Sequence, residues 1–222
     1  MQAPLSGADA PLPARGAAHP HRPERKLILG SSSAYRQALL LRLRKPFEIH
    51  APEVDETPRA GEAPAALAMR LALSKAREVA SRFPQAIVIG SDQVADLQGL
   101  PLGKPGNHAR ATVQLQQMRG QTVLFQTAVS VVCLATQFEA SSLAAVRVQF
   151  RDLSDAEIEQ YLRAEQPYDC AGSAKSEGLG IALLSAIDSD DPTALIGLPL
   201  IRTCTLLRLA GIDLFAPNQT PS

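Results

Sequence analysis

The run Ala86-Ile87-Val88-Ile89-Gly90 is apolar without alternation, and Ser91-Asp92-Gln93 follows it directly. A strand with no polar face has to be covered on both sides, so this run reads as a fully buried strand. A second one, Lys26-Leu27-Ile28-Leu29-Gly30, ends in Ser31-Ser32-Ser33. Helical patterns are expected at about 34–44, 62–82, 108–119, 154–163 and 198–209. In the second of these Met69, Ala72, Ala76, Val79 and Phe83 form an apolar stripe, with Lys75 lying off it. Asn107 is placed to cap the third helix and Gly120 to close it, while Ser154 with Glu157 makes a capping box for the fourth. Strands are expected at 47–50, about 121–135, 143–151 and 181–187, with a hairpin turning at Gln98-Gly99. The Gly-rich stretch 170–180 cannot be regular helix. Strands and helices alternate at first and an antiparallel pair follows, so the fold class is mixed α/β. No repeat or linker divides the ordered part, and 25–215 is expected to form a single domain.

Composition narrows the partners. The 222 residues suffice for one compact core, and 22 basic residues balance 22 acidic ones. A neutral chain has no general attraction for nucleic acid or an anionic membrane, so neither is expected as a partner; a small anionic ligand is compatible with a locally basic pocket. Three cysteines without a CxxC and four histidines without metal-site spacing argue against a disulfide framework or a structural zinc site. No apolar run reaches the roughly 18 residues of a membrane span. Residues 1–24 are rich in Pro, Ala and Gly and lack a hydrophobic signal core, so a disordered extension is expected there. A start codon assigned too far upstream would give the same composition. A flexible tail is expected at 216–222, and a cytoplasmic location follows by default.

Several residues carry chemistry. A serine-lined turn feeding a helix presents free N–H groups, hydroxyls and the positive end of the helix dipole to an anion. Arg36, in the first helical turn, can fork onto a phosphate. There is no GxxxxGK[ST] loop, which removes the P-loop NTPase reading. Asp92 ends an apolar strand at the edge where α/β ligands bind; it can activate a water or hold Mg²⁺ beside a polyphosphate. The loop Pro52–Pro58 offers Glu53, Asp55 and Glu56, and Mg²⁺ needs only one or two protein carboxylates beside phosphates and waters. Lys75 and Lys104 can neutralise phosphate oxygens, although each alone reads as a surface lysine.

In combination these segments resemble the Maf family of nucleotide pyrophosphatases. The matching stretches are LILGSSSAYR (27–36), PEVDETP (52–58), RLALSKA (70–76), IGSDQV (89–94), GKP (103–105), CAGSAKSEGLGI (170–181) and GLPL (197–200). The resemblance implies an inosine-triphosphatase-like α/β fold, a long mixed β-sheet with flanking helices forming two lobes around a cleft. It implies hydrolysis of a nucleoside triphosphate to the monophosphate and pyrophosphate with a divalent metal cation, Mg²⁺ or Mn²⁺. By position Asp92 is then the proton acceptor, Ser31, Ser33, Arg36, Lys75 and Lys104 serve the phosphates, and Glu56 and Asp92 serve the metal. The sequence does not rank these two as ligands. A homodimer is expected from the resemblance alone.

Three positions divide the family by substrate. The branch acting on dTTP and UTP has Arg, Thr and Gln where this chain has Tyr35, Gln93 and Glu177. An aromatic, a glutamine and a glutamate resemble the branch acting on 7-methyl-GTP. N7 methylation makes guanine cationic, which favours an aromatic face at Tyr35 and a carboxylate at Glu177. The chain departs from the usual motif at Ala34, where proline is common, and at Gln37, where a second arginine is common. Rival readings are dTTP/UTP hydrolysis, the housecleaning of several modified nucleotides, and a nucleotide-binding regulator of septum formation. Asp92, Glu56, Lys75 and Lys104 favour an enzyme over the last of these.

Overall fold

The structure is a computed structural model, and it describes residues 25–216. The extension expected at 1–24 and all but the first residue of the expected tail lie outside the described residues. Among the described residues five α-helices flank one mixed sheet whose central order is β2-β1-β3-β5-β6-β7. β1 (Leu27–Gly30) pairs in parallel with β2 (Glu48–Ile49) and with β3 (Ile87–Leu97). Beyond β3 the sheet turns antiparallel through β5 (Thr122–Cys133), β6 (Phe138–Phe150) and β7 (Leu184–Asp188). The short β4 (Leu100–Leu102) folds back on the end of β3 through the Gln98-Gly99 turn, as expected.

The two buried strands are buried as read: Leu27 to Gly30 and Ile87 to Asp92 are buried throughout. β6 by contrast alternates in its second half, turning Ala144, Val146, Val148 and Phe150 inward. It also begins earlier than expected, at Phe138, because a 3₁₀ turn at Leu134–Thr136 carries the chain directly back along β5. At 181–187 the first three residues continue a 3₁₀ segment, Leu179–Leu183, and only then does β7 begin.

Helix starts follow their caps. Ser33 accepts from the Arg36 N–H at the start of α1 (Ala34–Leu41), and Asn107 accepts from the Arg110 N–H at the start of α3 (His108–Met118). α4 (Asp155–Glu165) carries the complete Ser154/Glu157 capping box. α2 (Pro64–Arg82) begins at a proline and α5 (Leu200–Leu209) just after one, each later than the apolar pattern had suggested.

Strand alternation divides the core in a way that positions the site. One face of the sheet carries two apolar packets. α1 and α5 cover the first, over Leu27, Leu29, Ile87, Ile89, Val129 and Val131. α3 and α4 cover the second, over Ala95, Val123, Phe125, Val146 and Val148. Between them the same face shows Ser91, Gln93 and Thr127, polar side chains that the 3₁₀ turn Ala194–Ile196 covers. The other face is covered by α2, against Val88, Val94, Ala128 and Val132.

α2 corrects one expectation. Its buried face runs Leu67, Ala68, Leu71, Ala72, Lys75, Ala76, Val79 and Ala80, so Lys75 lies on that face and not off it, with 5% of its surface exposed. Met69, expected on the stripe, is half-buried at its edge. The cause is close approach. A Cβ on Gly90 of β3 would stand 2.3 Å from the Ala72 carbonyl oxygen and 2.6 Å from the Ala76 nitrogen. With small residues on both sides, the helix backbone lies against the strand and the Lys75 stem is enclosed while its ammonium reaches Asp92. Asp92 lies in the middle of β3 and does not end the strand as the apolar run had suggested, because pairing with β5 carries β3 on to Leu97.

Candidate active site

The centre of the site is a lysine between two carboxylates. Lys75 Nζ donates to Asp92 Oδ1 at 2.6 Å and lies 2.8 Å from Glu56 Oε1. Asp92 is 7% exposed, whereas Glu56 reaches in from an exposed loop. Partial burial opposes the charge on Glu56, but the Lys75 hydrogen bond and the charges of Lys75, Lys104 and Arg36 outweigh it, leaving the carboxyl below its ordinary range. Of the three loop carboxylates, only Glu56 joins this centre. Asp55 turns back to accept from the Thr57 N–H at 2.9 Å, and the Glu53 N–H donates to Glu78 of α2.

The acidic loop is strapped along α2 by contacts that motif reading does not reveal. Arg70 grips Glu62 through Nε at 2.6 Å and through a second nitrogen at 2.8 Å, and also donates to the Thr57 carbonyl at 3.1 Å. The Glu56 backbone is thereby held one residue from an anchor.

Arg36 stands beside this centre. Its Nε donates to the Gly197 carbonyl at 2.9 Å and a terminal nitrogen to Ser31 Oγ at 3.3 Å. Burial draws its guanidinium below the ordinary value, and the charges of Asp92 and Glu56 act in the opposite direction. Ser31 Oγ also accepts from the Ser33 N–H, and Ser33 Oγ caps α1. The serine turn thus has its shape fixed by its own hydroxyls, with the start of α1 directed at the same region. Lys104 is exposed and acts on Glu56 through its charge, with no hydrogen bond or ion pair among the described residues. The structure therefore brings together Ser31, Ser33, Arg36, Glu56, Lys75 and Asp92, with Lys104 at the rim.

The three positions expected to set specificity fall into two places. Tyr35, one residue before Arg36 on α1, lies with its hydroxyl 3.8 Å from Cys170 Sγ and its ring 5.9 Å from Lys175 Nζ. Burial is the first cause raising the Tyr35 phenol above its ordinary pKa, and Cys170, Asp169 and Glu177 add to it. Glu177 is therefore in electrostatic reach of Tyr35, and its exposed carboxylate has no hydrogen bond or ion pair among the described residues. Gln93 follows Asp92 on β3 and so points to the opposite face of the sheet. Its amide nitrogen lies 3.0 Å from Thr127 Oγ1 and 2.9 Å from each of the Ala194 and Leu195 carbonyls. It reaches Glu177 indirectly, since Leu195 and Glu177 both line a cavity of about 320 Å³.

Sequence reading also passed over the Gly197 carbonyl and Glu165. The former accepts from both Arg36 and Ser91, tying the Ala194–Ile196 turn to α1 and β3. The latter holds Lys175 at 2.6 Å and accepts from the Leu179 N–H at 2.8 Å. Gly178 carried a signal for it, because a Cβ there would stand 2.7 Å from the Glu165 carboxylate.

A buried carboxylate on a sheet strand, with an arginine, a lysine and a serine turn about it, has the groups needed to bind a phosphate anhydride and activate a water. The chain belongs to the Maf family, whose model, described as Maf-like protein, matches residues 26–210. Among curated relatives it is similar to a protein of Polaromonas sp. named 7-methyl-GTP pyrophosphatase, 72% identical over 86% of this chain and 88% of that protein. Proteins of the same name from Albidiferax ferrireducens and Cupriavidus pinatubonensis are 69% and 56% identical, over 85% and 86% of this chain and 95% and 96% of their own lengths. No helix among the described residues is long and apolar enough to cross a membrane.

Proposed function

We propose that this chain hydrolyses 7-methyl-GTP to 7-methyl-GMP and diphosphate, with Asp92 as the proton acceptor. The observation that carries the reading is the division of labour around α1. Arg36, hydrogen-bonded to Ser31 and Gly197, is within electrostatic reach of Asp92 and Glu56, while Tyr35, one residue earlier, lies beside Cys170 and Lys175 and within electrostatic reach of Glu177. A nucleotide lying across the start of α1 meets phosphate-binding groups with one end and an aromatic ring and a carboxylate with the other.

Lys75 fixes Asp92 through Oδ1, leaving Oδ2 to take a proton from an attacking water. Attack at the α-phosphorus breaks its bond to the bridging oxygen, and the electron pair leaves with diphosphate. Arg36, Lys104 and the serine turn of Ser31 and Ser33 bind and orient the phosphates. Tyr35 and Glu177 select the base, and Gln93 shapes the wall beside it through the Ala194–Ile196 turn.

The donor set fits a divalent cation. Among the described residues no three His, Cys, Asp or Glu side chains converge, but Mg²⁺ beside a polyphosphate needs only one or two carboxylates. Asp92 and Glu56 converge on one ammonium and are the two carboxylates that would hold such an ion. When bound, Mg²⁺ or Mn²⁺ supplies neutralisation of the charge developing on the departing diphosphate. Removal of a modified nucleotide from the cytoplasmic pool, by a homodimer, is the setting in which we place the reaction; a light-scattering mass equal to one chain would remove the dimer.

The test is a panel of 7-methyl-GTP, GTP, dTTP, UTP and CTP with Mg²⁺ or Mn²⁺, reading diphosphate and monophosphate. Preferential turnover of 7-methyl-GTP supports the proposal. Turnover of dTTP and UTP instead would sink the reading of Tyr35, Gln93 and Glu177.

A further inference from the structure

Glu165 occupies an unfavourable position. It is the last residue of α4, where the negative end of the helix dipole disfavours a carboxylate. It stays because both oxygens are used: one takes the Lys175 ammonium at 2.6 Å and the other the Leu179 N–H at 2.8 Å. Gly178 makes room for it, since any Cβ there would collide with the carboxylate. The Gly-rich segment is therefore built around Glu165, although no part of the phosphate site touches it.

Lys175 explains the consequence. Its ammonium is 5.9 Å from the Tyr35 ring centroid and feels the charges of Glu165 and Glu177. A free ammonium there would compete with a cationic base for both the face of Tyr35 and the carboxylate of Glu177. Pairing with Glu165 compensates its charge, and Glu177, which has no ion pair with it among the described residues, keeps its charge for the ligand.

We propose that Glu165 is a specificity-determining positioning residue, which sequesters Lys175 so that Tyr35 and Glu177 recognise a cationic, N7-alkylated purine base over its neutral parent. This rests on the 7-methyl-GTP reading above. Glu165 touches neither substrate nor reacting atoms; it acts through Lys175.

The experiment is steady-state hydrolysis of 7-methyl-GTP and GTP by the full chain and three variants. Glu165→Gln keeps the shape and the bond to Leu179 but removes the charge. The ratio of kcat/KM for 7-methyl-GTP over GTP should fall about tenfold, as expected for one uncompensated charge at close range. The fall should lie in KM for 7-methyl-GTP, with kcat for both substrates unchanged. Lys175→Met should move the ratio in the opposite direction, and the double variant should return it toward the wild-type value. An unchanged ratio in both single variants overturns the proposal. So does an equal loss on both substrates in Glu165→Gln that Lys175→Met does not repair, which marks a structural role alone. Should Glu165→Gln fail to fold, the rise in Lys175→Met still decides the matter. A wild-type chain with no preference for 7-methyl-GTP over GTP removes the substrate reading and this inference together, whereas a preference indifferent to Glu165 and Lys175 removes the inference alone.

Discussion

Asp92 Oδ1 and Lys75 Nζ are 2.6 Å apart in the seam where α2 lies on β3, and both side chains are almost wholly buried. A buried pair of this kind is weak evidence for stability, since desolvation consumes most of its Coulomb gain. Its value here is positional: one oxygen is fixed, and the other has no hydrogen bond among the described residues.

Asp92→Asn tests that role with little change in shape. The amide oxygen can still accept from Lys75, but the side chain can no longer take a proton from water. We expect kcat to fall by about 10²- to 10⁴-fold with KM within a few-fold of wild type. Product formation is followed at saturating 7-methyl-GTP, with circular dichroism to check the fold. A variant retaining most of its kcat would exclude Asp92 as the proton acceptor.

Gly90→Ala tests the packing that creates the pair. The added methyl would sit 2.3 Å from the Ala72 carbonyl oxygen, against backbone that cannot rotate away. α2 must shift outward, at a cost of about 1–3 kcal/mol or more. Urea denaturation should show a lower midpoint with the slope unchanged. Since the shift carries Lys75 with it, activity should fall further than the loss of folded protein explains.

Much of this was legible beforehand, for physical reasons that differ from element to element. Ser33, Asn107 and the Ser154/Glu157 box announce helix starts because capping is a local hydrogen bond. The apolar runs at 27–30 and 87–90 announce buried strands because no polar side chain interrupts them. Lys75 was misplaced because periodicity sorts residues by type, and type says lysine belongs outside; only Gly90 meeting Ala72 and Ala76 encloses it. Gln93 was placed with Tyr35 and Glu177 by resemblance alone, and as the residue after Asp92 on one strand it faces the side of the sheet opposite to Asp92. Glu165 escaped notice because its partners lie beyond a 3₁₀ segment that no periodicity describes.

Tyr35→Leu separates ring from bulk in base recognition. A cation over an aromatic face is stabilised by about 0.5–2 kcal/mol, so KM for 7-methyl-GTP should rise roughly 2- to 30-fold. KM for GTP should change much less, because its base is neutral. Tyr35→Phe should retain the preference, since the ring remains and the hydroxyl only meets Cys170. Equal effects on both nucleotides would mean that the residue merely fills space.

The strap that holds the acidic loop gives the last expectation, in acid. The bidentate Arg70 contact, aided by the Arg59 N–H, holds the Glu62 carboxyl down at about 2 from an ordinary 4.5. A group depressed in the folded state stabilises it above the unfolded pKa and ceases to do so as pH falls through the folded one. The Glu62–Arg70 contribution should therefore be complete above pH 4.5 and disappear toward pH 2. The difference in Tm between wild type and Glu62→Gln should be constant from neutral pH down to about that upper limit, then narrow as acid protonates Glu62 in the wild type. Because Arg70 also holds the Thr57 carbonyl, next to Glu56, the variant should also need more Mg²⁺ for half-maximal turnover at neutral pH. A Tm difference that widens on acidification would carry the wrong sign and rule out this account of the strap.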